Sequence, residues 1–469
     1  MIGPVKGGEH GWPFGAYLGS MKQKGYVEEE YFIEGVASRY SPTAELTNDG
    51  KWSVAPGSSA PYKTRILVRR PTNPAKFNGT VLIEWINVSV GYEMALCDPP
   101  GLYENGFAFV AVSAQPTGID GFASNPRGLK QWDPERYGSL FIPDEGVSYD
   151  IFTQAARAVG PNRDKTGVDP MGGLEVKKLI GTGASQSGTR ILGYANGIQP
   201  LQNVFDALIP VICAGASSDF EDAMAHPDSG TGNTAHSRSI RTLVRDDLSA
   251  KVLQLNTQTE ALYYFTQRQP DTDSFRSWEV AGAPHLPSRQ AQYLQRKIDR
   301  DGMDDSLSTF SAIRINEVDW WYVFDAAILH IHTWVTTGTP PPQAQPIQVS
   351  PADKDYAYDL YGNVLGGIRL PELEVPAAKY VAGPRYPLRG YTVPLPAEQL
   401  LQLYPTHEDY VAKITAAANA ACSAGFIPKY RAEEYCKMAQ IAPIPLPLPI
   451  ETKMDDRPTP QGNTGAKKQ

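Results

Sequence analysis

Apolar positions along this chain of 469 residues fall into short runs separated by stretches with helical spacing. Residues 63–69, 79–85 and 107–113 are rich in Val, Ile and Phe and are bounded by Pro, Asn or Gly. That is the pattern of strands in a largely buried sheet. Residues 150–159 carry helical spacing, and an apolar run at 176–181 follows them. Three more strand candidates lie at 205–213, 251–256 and 276–281. Strands alternating with helices predict an α/β fold with a mainly parallel central sheet flanked by helices.

The flanking regions read differently. Residues 1–59 mix aromatic and Gly-rich turns with short alternating runs such as 30–34, a β-rich leading segment. A polar insert at 217–249 holds His226 and His236 and interrupts the strand pattern. It reads either as a lid over the site or as a surface excursion. After residue 286 the spacing predicts helices over 289–301 and 319–337, the second stopped by Gly338 and the prolines at 340–342. A loop-rich stretch, 343–395, precedes helices near 396–424 and 430–439 and a Pro-rich tail expected to be disordered beyond about 455.

Composition narrows the classes. Hydrophobic content of 41% with 10% aromatics supports a substantial core, which excludes a disordered chain. A net charge of −8 without a basic cluster speaks against a nucleic-acid partner. Cys97, Cys213, Cys422 and Cys436 show no metal-ligand spacing, and four cysteines are too few for a disulfide framework. Cys422 and Cys436 flank a predicted helix–turn–helix and are expected as buried thiols rather than a pair. Apolar runs stay far below the roughly 20 residues of a transmembrane span. The first ten residues lack the apolar core of a signal peptide, so a cytoplasmic location is the expectation. The sequence leaves open whether the chain forms a homo-oligomer.

The chemistry concentrates in Gly181-Thr-Gly-Ala-Ser185-Gln-Ser187-Gly188, between the run at 176–181 and the helical segment 189–196. Strand, small-residue turn with a central serine, then helix is what a nucleophile elbow requires, because the turn is too tight for large neighbours. The usual G-x-S-x-G appears as G-A-S-Q-S. Two other readings compete. Gly and Ser here also suit a plain turn with an N-cap, and Gly181 and Gly183 fit a dinucleotide loop. The latter needs a third glycine where Gln186 stands. Ser187 is the rival nucleophile, but its neighbours at two residues, Ser185 and Thr189, suit a strained bend less well.

A serine hydroxyl needs a base, and the base needs a group to hold its tautomer. His285 is the one histidine placed just after the last clear strand, in a Gly-containing loop. His330 and His332 lie two apart on a predicted helix and point to different faces. Glu260, just past the strand at 251–256, is the expected acid; Asp271 and Asp273 are the alternatives. For the oxyanion, the Gln186 N–H at the helix start is one expected donor. The other is expected from the loop after the strand at 79–85, from Asn87 or Val88. This chemistry requires no metal and no cofactor.

These residues resemble the bacterial and fungal alpha/beta hydrolase domain proteins with an S-Q-S elbow. The resemblance is carried by residues 60–68, 84–89, 132–140 and 183–187, by Trp278-Glu-Val-Ala-Gly with His285, and by 362–371. It implies an alpha/beta-hydrolase fold built as one elaborated domain over 1–455. In that domain a core at 60–290 carries the insert, 291–440 is a C-terminal elaboration, and 456–469 is a flexible tail. The Ser-Gln step also resembles cutinases, in which the Gln N–H serves the oxyanion hole. Two departures stand out: Ser89-Val-Gly91 replaces an expected pair of glycines, and Gln258 replaces an expected second acid. The resemblance implies the mechanism far more than the molecule acted on; with Ser185, His285 and Glu260 as the working set, hydrolysis of a small-molecule carboxylic ester is the expected reaction. Amide or lactone cleavage, acyl transfer on the same residues, or a non-catalytic binding role are the other readings.

Overall fold

The computed structural model describes residues 1–218, 220, 240–303, 314–350, 352, 354–385 and 388–446. The central feature is an eight-stranded sheet. Its strands are β1 (Tyr26–Pro42), β2 (Val54–Pro71), β3 (Thr80–Trp85), β4 (Ala108–Val112), β5 (Lys178–Ala184), β6 (Ala207–Val211), β7 (Lys251–Thr257) and β8 (Phe275–Val280). The spatial order is β1-β2-β4-β3-β5-β6-β7-β8. From β4 to β8 every neighbour is parallel, whereas β1 and β2 join as an antiparallel edge. The sheet is therefore mainly parallel, and β3, β4 and β6 are buried along their whole length. Continuous apolar runs mark these strands because helices cover both faces.

The leading hairpin is longer than the apolar runs suggest. β1 has 17 residues and β2 has 18. Only Ile66–Arg69 of β2 pairs with β4. The outer part of β2 runs past the sheet with small and polar residues exposed, so its hydrophobic signal covers only the inner half. A buried ion network fastens this edge. Arg65 donates to Glu30 at 2.8 Å and to Glu93 at 2.5 Å, and Arg136 donates to the other Glu30 oxygen at 2.6 Å. Each charge is compensated in place, which is the condition for burying it without large loss.

Among the helices, α1 (Ser148–Val159) precedes β5, α2 (Gln186–Gly193) follows it, and α3 (Gln258–Tyr264) follows β7. Beyond β8 come α4 (Ser288–Arg300), α5 (Trp321–Thr337), α6 (Ala397–Leu403), α7 (His407–Ser423) and α8 (Lys429–Ile441). The single helix expected near 396–424 is two. Pro405 removes a backbone donor, and Thr406 opens α7 with a capping box to Asp409. His330 on α5 bonds the Gly425 carbonyl, and His332 bonds the Thr80 hydroxyl on β3, so both serve packing. Cys422 and Cys436 are free and half-buried rather than buried. The insert's histidines, His226 and His236, and the tail at 456–469 lie outside the described residues. Among the described residues, no helix is long and apolar enough to cross a membrane.

One buried carboxyl makes the fold pH-dependent. Glu84, the penultimate residue of β3, accepts from the amides of Leu96 at 2.7 Å and Cys97 at 3.1 Å, and its other oxygen has no partner among the described residues. Burial, helped by the nearby Asp98 charge, raises its pKa from 4.5 to about 8. The folded state thus holds a proton that unfolding releases. Stability from this group is complete below pH 4.5 and is lost as pH rises toward 8. Glu84→Gln keeps an acceptor for both amides and removes the ionisation. It is expected to match the parent at pH 4.5 and to exceed it by about 1–3 kcal/mol above pH 8, as measured by urea unfolding at the two pH values.

Candidate active site

The bend after β5 is a backbone feature before it is a chemical one. Ser185 has φ 60° and ψ −121°, a conformation that L residues rarely adopt. The small residues around it are sterically required. A Cβ on Gly183 would lie 2.7 Å from the Ser187 carbonyl oxygen, and one on Gly188 would lie 2.4 Å from the Val211 oxygen of β6. Ser187 closes the turn: its hydroxyl donates to the Ala184 carbonyl at 2.9 Å and accepts the Ala184 N–H at 3.0 Å. With both directions of bonding spent and the side chain buried, Ser187 is a structural residue. The Ser185 N–H donates to Val211 at 2.9 Å, which fixes the bend against β6.

The half-buried Ser185 hydroxyl meets His285 Nε2 at 2.9 Å, and His285 Nδ1 meets Glu260 Oε1 at 2.7 Å. Three strand ends supply the set: β5 the serine, β7 the glutamate on the first turn of α3, and β8 the histidine. All three lie at the carboxyl edge of the parallel sheet, the usual place for sites in open α/β sheets. Glu260 is also the N3 residue of a capping box. Its Oε2 accepts the Thr257 N–H at 2.9 Å and the Thr257 hydroxyl at 2.5 Å. A carboxylate already accepting two donors acts as an acceptor toward the ring, so Nδ1 carries the proton and Nε2 is left to accept from Ser185.

The two alternative acids are on the wrong side of the molecule. Asp271 accepts the Ser277 N–H at 3.0 Å, and the Asp273 carbonyl receives Lys251 Nζ at 2.9 Å. Both precede β8, and because β8 runs parallel to β7 they sit at the amino edge of the sheet, opposite His285. Asn87 also differs from expectation. Its backbone N–H donates to Met94 at 3.2 Å, and its side-chain amide donates to the Ala184 carbonyl at 3.0 Å. Asn87 therefore ties the loop to the elbow strand instead of offering a donor. The Val88 N–H has no acceptor among the described residues. The Gln186 N–H is the first of α2, where no intrahelical acceptor exists. The Gln186 side chain is anchored by Gln115 at 3.0 Å, which also accepts Trp85 Nε1 at 2.9 Å.

The chain matches the alpha/beta hydrolase domain family over residues 1–437. It belongs to that family. No curated protein matches it. Among solved structures, this hydrolase-family chain is similar to a prolyl endopeptidase at 13% identity, covering 55% of this chain and 35% of that one with a TM-score of 0.28. Prolyl oligopeptidase B from Galerina marginata gives 11%, 60% and 32%, with a TM-score of 0.27. An alpha/beta serine hydrolase without lid from Xanthomonas campestris gives 15%, 51% and 85%, with a TM-score of 0.27. The match thus spans about a third of the length of the two prolyl-peptidase chains.

Residues around the histidine loop complete the setting. The His285 N–H donates to Thr259 Oγ1 at 3.0 Å, and the His285 carbonyl accepts Trp320 Nε1 at 3.2 Å. Gln258 accepts the Gly282 N–H at 2.9 Å, and Asn316 donates to the Gly282 carbonyl at 2.8 Å. The spelling Thr257-x-x-Glu260 ahead of a helix is a capping-box signature, and it alone could have flagged Thr257. A groove of about 660 Å³ lined by Lys178, Asp206, Lys251 and Trp334 lies at the amino edge of the strands. Among the described residues, no group of three or more His, Cys, Asp or Glu is placed to hold a metal ion. Gly188→Ala is expected to cost about 2–4 kcal/mol, because its methyl group meets backbone of β6 rather than a movable side chain; urea unfolding checks this.

Proposed function

We propose that this protein is a serine hydrolase that cleaves carboxylic esters of small molecules through an acyl-enzyme intermediate. The observation that carries the reading is the continuous chain from Ser185 Oγ to His285 at 2.9 Å and on to Glu260 at 2.7 Å. In the proposed cycle His285 Nε2 takes the hydroxyl proton as Ser185 attacks the ester carbonyl. Glu260 stabilises the imidazolium and holds its orientation. The tetrahedral oxyanion would be met by the Gln186 N–H, with the α2 dipole behind it, and by the Val88 N–H. His285 then gives its proton to the departing alcohol, leaving Ser185 acylated. A water molecule, deprotonated by the same imidazole, attacks the acyl carbonyl; as the C–Oγ bond breaks, the imidazolium returns that proton to Ser185 Oγ and the acid is released. No metal and no cofactor enters this sequence.

The strained bend supports Ser185 as nucleophile over Ser187, since strain of this kind persists where it is useful. A fluorophosphonate probe tests the assignment. Ser185→Ala is expected to abolish labelling, and Ser187→Ala to retain it. On p-nitrophenyl esters of graded chain length, His285→Ala is expected to lower kcat by about 10³-fold or more, and Glu260→Gln by about 10²–10⁴-fold. A parent protein that neither labels nor turns over any ester would mean a binding scaffold. Acyl groups passing preferentially to added alcohol rather than to water would mean a transferase.

A further inference from the structure

We infer that Thr259 is a positioning residue for the base, acting with Thr257 to hold the acid and the base in one hydrogen-bonded ring. The inference rests on the proposed roles of Ser185, His285 and Glu260. Five contacts close the ring. The Thr257 N–H and hydroxyl both donate to Glu260 Oε2, at 2.9 Å and 2.5 Å. The Thr259 N–H donates to Thr257 Oγ1 at 3.2 Å. The His285 N–H donates to Thr259 Oγ1 at 3.0 Å, and His285 Nδ1 meets Glu260 Oε1 at 2.7 Å. Both carboxylate oxygens are thereby occupied, and the backbone of the base is pinned to the residue next to the acid. The imidazole is thus located by three residues of α3 and its cap, Thr257, Thr259 and Glu260.

The two threonines have separable jobs. Thr257 is the N-cap of α3, so replacing it disturbs the helix as well as Glu260. The Thr259 hydroxyl takes no part in the helix cap, which runs between Thr257 and Glu260 and takes from residue 259 only its backbone N–H, donated to Thr257 Oγ1. Valine at 259 keeps the β-branched shape and the cap but removes the acceptor for the His285 N–H. Catalysis depends on ångström-level placement of reacting groups, so a freed loop lowers the rate of the chemical step without changing how substrate is held. Trp320, on the other side of the loop, still binds the His285 carbonyl, so the histidine is loosened rather than lost.

The test compares the parent, Thr259→Val, Thr259→Ser and Ser185→Ala on one p-nitrophenyl ester, with active sites counted by fluorophosphonate titration and folding followed by circular dichroism. Thr259→Val is expected to lose about tenfold in kcat per titrated site, with KM unchanged within about twofold. Thr259→Ser, which restores the acceptor, is expected to recover kcat to within about twofold of the parent. Thr259→Ala takes the place of the valine variant if that chain does not fold. Parental kcat in the valine or alanine variant overturns the inference. So does a serine variant as slow as the valine one, or a loss that appears in KM instead of kcat. Full activity in Ser185→Ala would instead overturn the proposed function itself, so the two failures are distinct.

Discussion

The backbone conformation of Ser185 is the constraint on which the rest of the site depends. At φ 60° and ψ −121° the chain reverses from β5 into α2 within a single residue. That reversal leaves no room for a side chain at Gly183 or Gly188, and it presses the bend against the Val211 carbonyl of β6. The same reversal raises the hydroxyl above the sheet edge and places the Gln186 N–H at an open helix terminus. A position of this kind costs roughly 1–3 kcal/mol and must be held from several sides. Here the Ser187 hydroxyl holds Ala184 by both its groups, the Asn87 amide holds the Ala184 carbonyl, and β6 holds the Ser185 amide.

His285 is held by parts of the chain far from it in sequence. Trp320 takes the His285 carbonyl, Leu388 accepts the Leu286 N–H at 2.9 Å, and Asn316 bridges the Gly282 and Val381 carbonyls. The residues beyond β8 therefore help to set the histidine loop rather than standing apart from it. On the opposite flank, the Arg65–Glu30–Arg136 network ties β1 to β2 and ties the leading hairpin to the segment that carries Arg136. Because every member of that network is buried, loss of one partner would strand a charge, at about 3–5 kcal/mol. The fold thus places its polar ties where chain segments must be kept in register around the sheet's carboxyl edge.

Much of this was legible in the residues, and the places where it was not share a cause. β3, β4 and β6 were legible because a strand buried along its whole length is largely apolar. The elbow was legible because a sterically forced turn dictates small residues at fixed offsets. The length of β1 and β2 was hidden, since the outer part of β2 is a run of exposed Pro, Gly and Ser that carries no apolar signal. The break between α6 and α7 rests on Pro405, whose effect the helical spacing around it masked. Asn87 was misread because the partner of its N–H, Met94, is set by an isolated bridge across a loop. Thr259 was missed because a threonine hydroxyl has no sequence signature until its partner, the His285 amide, is folded against it.

Hydrophobic periodicity and local sterics are properties of neighbouring residues, and they determined from the sequence alone the parallel α/β sheet, the bend at Ser185 and the candidacy of His285 and Glu260. Which carboxylate reaches the imidazole was decided only in three dimensions. Glu260 and Asp271 are both acids near the end of a strand run, but the parallel course of β7 and β8 puts one at the carboxyl edge and the other at the amino edge. Which backbone amides stay free of a partner was decided in the same way, because a hydrogen bond between residues distant in the chain exists only once the fold has brought its two ends within about 3 Å.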